Sequence, residues 1–328
     1  MLPKNPVYFP IERGVYEVTA GLKPLASDLG HGVLDQKNFQ LTEDFPLYRK
    51  NKVEALNERV SKYICRFNLE SSIETSIALW ICQRLCLEWP DVFSMSETGS
   101  SRTLNCNHSG DSIIFDSLGT LTRFETKDQF LSPVSSLLDA LALQVQEDLA
   151  ITSRSLEPKK DWISYLHLCA PSHWAAEDKI GKSFFEVHKP VAGIDRILKV
   201  SEIMVDAMIT KGPFQRFVWS FVTDLRLNHH PIPAPGWDPG EWKGRSFKKG
   251  EQEPFYFRVE RQTTTGFPEL QASLFTIRVY FSLASEIKAD PRKKEQLSSA
   301  LKSMSPESKI YKGVATCFED LIQFLDQP

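Results

Sequence analysis

No apolar run in this sequence approaches the length of a membrane-spanning helix. No excess of one charge is present either: 39 Lys and Arg stand against 42 Asp and Glu, giving a net charge of −3. Without a basic surplus, a nucleic-acid partner is not expected. There is no Gly-x-Gly-x-x-Gly dinucleotide loop and no His-Glu-x-x-His zinc motif. Cysteine is sparse, and the Cys-x-x-Cys spacing of a zinc, redox or iron–sulfur site is missing. Cys65, Cys82, Cys86, Cys169 and Cys317 sit among apolar neighbours and read as small core residues. The start, Met1 to Pro10, is broken by prolines and lacks an apolar signal core, so a reducing, cytoplasmic location is the expectation.

What remains is a chain of 328 residues, 41% hydrophobic, enough to build a substantial core. Its most informative stretch is Phe255-Tyr-Phe-Arg-Val-Glu-Arg-Gln-Thr263, followed after a short link by Ser273-Leu-Phe-Thr-Ile-Arg-Val-Tyr-Phe281. Both alternate with the period of a strand. Gly266 and Pro268 in the link predict an antiparallel hairpin. Arg258, Glu260 and Gln262 share one face of the first strand, and Arg261 lies on the other. Such groups resist burial unless paired, so they face water or line a polar site.

Elsewhere, Lys52–Phe67 has helical spacing, and Ser71-Ser-Ile-Glu74 predicts a capping box opening a helix through Leu87. The polar stretch 97–110 reads as a loop, and a helix is expected from Pro133 to about Ile151. Strands are expected at 162–168, 184–188 and 216–222, with a helix at about 194–209 ended by Gly212-Pro213. A proline- and glycine-rich segment spans 228–254, and two helices close the chain. Helices, then antiparallel strands, then helices give an α+β class.

The hairpin residues Arg258-Val-Glu-Arg-Gln-Thr263 and Leu274-Phe-Thr-Ile-Arg278 resemble the signature of the haem-dependent oxidative N-demethylase family. Further matches follow in order: Gly21-Leu-Lys-Pro-Leu25, Tyr48-Arg-Lys-Asn-Lys52, Gln146-Glu-Asp-Leu149 in a central helix, Cys169-Ala-Pro-Ser-His-Trp174, Lys179-Ile-Gly-Lys182, Val187-His-Lys-Pro-Val191, Arg216-Phe-Val-Trp-Ser220 and Tyr311-Lys-Gly313. The resemblance implies one domain over residues 1–328: a helical part to about 155, a PAS-like antiparallel sheet enclosing a haem pocket at about 156–285, and C-terminal helices beyond. It also implies an oxidase that uses O2 and external electrons on an amine or another nitrogen-containing small molecule, served by a separate reductase. With no Cys-x-x-Cys-His attachment and no Phe-x-x-Gly cysteine-ligand motif, the haem would be non-covalent haem b with a histidine ligand.

From the residues alone His188 reads first as a satisfied core or surface histidine; the resemblance makes it the candidate iron ligand. Arg258, Glu260 and Arg261 are the candidate catalytic group, as charge stabilisers, amine holder or proton relay, against the alternative of structural ion pairs. Lys179, Lys182, Arg216 and Arg278 are candidates for the haem propionates, with Gln262 beside the cofactor. His229 and His230 read as solvated loop residues, and His167 has no evident partner. Three departures from the family pattern stand out. Ala192 follows Val191 where proline is usual, Val218 replaces an asparagine, and Thr264–Phe267 lack a basic residue. They suggest a less polar pocket and a larger substrate. A haem-binding sensor or carrier, and a haem-free relative with a reused pocket, are the competing readings.

Overall fold

The alternating runs form a long hairpin at the centre of the protein. The structure, a computed structural model, describes residues 2–129, 131–247 and 251–327. The strands in chain order are β1 (Lys23–Pro24), β2 (Ile64–Arg66), β3 (Phe93–Thr98), β4 (Ser101–Cys106), β5 (Asp111–Asp116), β6 (Leu121–Glu125), β7 (Asp148–Leu156), β8 (Lys159–His167), β9 (Phe214–Val222), β10 (Tyr256–Phe267) and β11 (Ala272–Leu283). Seven make an antiparallel sheet in the order β1-β9-β10-β11-β7-β8-β2, and β3 to β6 make a separate meander. With twelve α-helices among the described residues, the fold is α+β.

Register decides which charges share a face. Arg261 pairs with Arg278, Glu260 with Val279 and Gln262 with Ile277 across the hairpin. Arg261 and Arg278 therefore lie on one side of the sheet, and Glu260 and Gln262 on the other. The arginine side is closed by two cores. One joins Leu149, Ile151 and Leu274 to the helices Phe45–Tyr63, Ser71–Glu88 and Leu137–Ala142 and to the meander. The other joins Phe257, Val259 and Phe221 to Pro291–Lys302 and Phe318–Asp326. The Glu260 side faces short helices, including Phe184–His188 and Ser201–Thr210, across an open space. Gly266 lets the latter approach: a Cβ there would lie 2.2 Å from the Ile209 carbonyl oxygen.

Several local expectations need correction. Phe184–His188 is a helical turn, not a strand, because Ser183 and Glu186 form a reciprocal capping box that outweighs the strand propensity of the aromatic and β-branched residues. The helix expected to about Ile151 covers only Leu137–Ala142, and Gln146–Leu149 leads into β7. The predicted loop at 97–110 is largely the β3–β4 hairpin, whose residues are mostly polar because one face stays wet. Glu70, not Ser71, occupies the cap position of the second helix, without a side-chain cap bond. The helix at 194–209 is split into Asp195–Leu198 and Ser201–Thr210. Residues 248–250 of the proline-rich segment, together with 1, 130 and 328, lie outside the described residues.

Candidate active site

Against the free face of the sheet lies a cavity of about 900 Å³. That is at the upper end for small-molecule sites. The sheet contributes Glu260, Gln262 and Thr264 from β10, Arg216, Val218 and Ser220 from β9, Phe275 and Ile277 from β11, and Ala150 and Thr152 from β7. Val187, Val191, Ile194, Met204 and Met208 supply an apolar wall opposite. The N-terminal stretch around Tyr8–Thr19 runs along the open edge of β9, and Arg245, Tyr311 and Lys312 close one end.

His188 lines this cavity from the end of its helical turn. Its Nδ1 lies 2.8 Å from the Phe184 carbonyl oxygen. A carbonyl only accepts, so Nδ1 carries the proton and Nε2 keeps its lone pair. Burial lowers the imidazole's pKa; the Phe184 bond opposes this, and the charges of Arg216 and Lys179 reinforce it. At neutral pH His188 is therefore a neutral ring with a free Nε2, held against Phe184 at a centroid distance of 4.1 Å. Lys179 steadies the same turn by donating to the Val187 carbonyl at 2.9 Å.

Glu260 is the cavity's buried carboxylate. Ser172 donates to one oxygen at 2.6 Å and Gln262 to the other at 2.9 Å. Ser172 in turn receives Arg258 Nε at 2.8 Å. Arg258 itself is absent from the cavity wall. Its guanidinium donates to the carbonyls of Ala170 (2.9 Å), Leu227 (3.1 Å) and Arg226 (3.2 Å), joining two loops. Its hydrogen-bonded link to Glu260 runs through Ser172, and the two opposite charges also attract.

Other expected site residues lie elsewhere. Arg261 is buried on the opposite face, bonded to Gln215 (3.0 Å) and the Lys37 carbonyl (2.9 Å). Arg278 is buried beside it, over the Tyr48 ring at 3.9 Å and bonded to Thr42 at 2.9 Å. Neither lines the cavity, because odd-numbered β10 residues and their β11 partners face away from it. Lys182 is exposed and also off the wall. Arg216 is on it, with Nε buried and without a partner among the described residues. Of the departures from the family pattern, Val218 and Thr264 line the cavity.

His229 and His230 are buried rather than solvated. His229 bridges Asp224 Oδ1 (2.9 Å) and Arg258, which fixes its tautomer, and it stacks on His173 at 5.3 Å. Asp148, His167 and Cys169 bring ligating atoms within 4.8 Å of one another, all buried and none on the cavity wall. The Lys52 ammonium acts on this trio while bonding three backbone carbonyls, and it supplies the local positive charge. Ser172, Arg245, Tyr311 and Lys312 went unassigned in the sequence. Three of them sit inside matched motifs, where a motif position gave no hint of direction; Arg245 lies in an irregular loop with no pattern at all.

The cavity thus combines a neutral imidazole with an open nitrogen, an apolar wall and a charged end. Over residues 32–322 the chain matches the family described as haem-dependent oxidative N-demethylase, alpha subunit-like, and it belongs to that family. No curated protein matches the chain. The residues present fit a haem: His188 offers Nε2, and the orphaned Arg216 Nε calls for an acceptor. No helix among the described residues is long and apolar enough to cross a membrane.

Proposed function

We propose that the protein is a haem-dependent oxidase that removes or transforms an N-alkyl group of a small amine, using O2 and electrons from a separate cytoplasmic reductase. The observation that supports this most directly is the free Nε2 of His188 at the wall of the large cavity. In this reading the whole chain acts as one domain, and its larger sheet forms a PAS-like wrap around haem b. His188 would hold the haem iron through Nε2, and the Phe184 carbonyl bonded to Nδ1 would raise its basicity. When bound, the haem supplies the oxidising chemistry with O2. For a methylamine-type substrate, one oxygen atom leaves in the aldehyde and the other in water, and two electrons and two protons balance the reaction. Glu260 holds the protonated amine and then takes its proton, with Ser172 and Gln262 fixing the carboxylate. Val218 beside Glu260 and Thr264 further along β10 leave an uncharged, less polar stretch of wall, suited to a substrate bulkier than methylamine.

The test is an ultraviolet–visible spectrum after haem reconstitution, comparing wild type with His188→Ala. A Soret band that shifts on reduction and is weakened or displaced in the variant is the expected result. Identical spectra would remove His188 as ligand; no haem uptake by either protein would remove the oxidase reading.

A further inference from the structure

The end of the cavity beyond Glu260 holds more positive charge than the protein neutralises. Arg216, Arg245 and Lys312 all line it. Lys312 is buried, and its ammonium donates to the Trp219 carbonyl at 2.7 Å, which leaves two donor positions. The Nε atoms of Arg216 and Arg245 are buried with no partner among the described residues. Glu260 acts on Arg216 and Lys312, but its oxygens already accept from Ser172 and Gln262. Arg245 has no carboxylate partner among the described residues. Three cations against one engaged carboxylate, in a half-dry setting, are costly unless an anion completes them.

The chain's closing motif is built around this end. Tyr311 and Lys312 line the cavity, and Gly313 follows at φ +68°. A Cβ at Gly313 would lie 1.9 Å from Arg245 Cζ and 2.0 Å from its Nε. No side chain fits there, so Gly313 does two things: it takes the left-handed turn after Lys312, and it leaves the space in which the Arg245 guanidinium rests.

We propose that Arg216, Arg245 and Lys312 form a carboxylate subsite, and that Gly313 is the positioning residue that holds Arg245 over it. The inference rests on the haem-oxidase reading only for the source of the carboxylate, which is either a porphyrin propionate or an acid group on the amine substrate. An anion of this shape meets two guanidinium edges and an ammonium, a stronger combination than a neutral acceptor would find.

The experiment uses two probe pairs on the full chain. The first is metal-free protoporphyrin IX and its dimethyl ester, read by tryptophan fluorescence quenching. The second is N-methylglycine and dimethylamine, read by calorimetry. A preference of tenfold or more for the free acid over the ester, lost in Lys312→Met and Gly313→Ala and kept in Lys312→Arg, assigns the site to the porphyrin. The same pattern confined to N-methylglycine over dimethylamine assigns it to the substrate. Retained thermal stability of the variants excludes misfolding, and Arg245→Gln gives a second variant should Gly313→Ala fail to fold. Equal affinity within both pairs, or no uptake of any of the four probes, overturns the subsite. None of these probes needs iron ligation. A preserved acid preference in a protein that gives no histidine-ligated haem spectrum would therefore remove the oxidase reading alone and leave the subsite standing.

Discussion

Glu260 and Arg258 sit two residues apart on the same face of β10, yet their surroundings set them to different work. Glu260 faces the cavity and is held by a hydroxyl and an amide, both replaceable donors. Arg258 is enclosed, and burial lowers its pKa, with Glu260 opposing; its guanidinium spans the two loops that carry Ser172 and His229. Opposite outcomes follow on substitution. Glu260→Gln keeps the shape and the bond to Ser172, so the melting temperature should hold while amine turnover drops ~10²-fold or more. Arg258→Met strips several buried carbonyls of their donor and should cost about 3 kcal/mol or more of folding stability. Urea denaturation beside a turnover assay separates them. Full activity in Glu260→Gln would make that carboxylate structural, and an unchanged denaturation midpoint in Arg258→Met would free Arg258 from the clamp role.

At the scale of elements, the turn Phe184–His188 shows what the sequence could and could not say. The hairpin was legible, because alternation through two nine-residue runs joined by a Gly- and Pro-containing link leaves little else for a chain to do. Its two faces were not ranked, since each carries both apolar groups and arginines; only the packing of helices against one side turned Glu260 toward the cavity and Arg261 away from it. For the turn, a run of two phenylalanines and a valine favours a strand, and the capping signal Ser183-x-x-Glu186 overrides it. His188 itself stood out through a motif match, while the Phe184 bond that sets its tautomer depends on helical geometry that five residues cannot announce. Removing the cap tests whether the turn presents the ligand. Ser183→Ala deletes the bond to the Glu186 amide and should cost ~1 kcal/mol locally. In the haem-loaded protein this should speed haem loss severalfold with the Soret position unchanged. An unaltered loss rate would show that the cavity wall, not the cap, holds His188 in place.

Over the whole molecule, the larger sheet separates a face packed into cores from a face given to the cavity, and buried titratable groups border both. His167, His173 and His229 are kept neutral by burial first of all, with pKa values lowered from 6.5 to about 3, about 2 and about 4. Once unfolded, each recovers its ordinary value. Below pH 6.5 the unfolded chain thus binds protons that the folded chain refuses, and stability falls as the pH falls toward each folded value. Glu147 and Asp148 work in the other direction, because burial raises both and the folded chain binds their protons first. The net slope mixes these contributions, so the histidine share is best read by difference. His167 suits this: it is fully buried, its Nε2 has no partner among the described residues, and it does not touch the cavity wall. Wild type and His167→Gln should be unfolded in urea at several pH values between 6.5 and 4. The wild-type stability should fall more steeply with acid than that of the variant, by ~1.4 kcal/mol per pH unit once the unfolded imidazole is protonated. Parallel profiles would mean that His167 titrates alike in both states. The buried layer beside Lys52 would then be open to water or protons, in conflict with the sealed packing found around it.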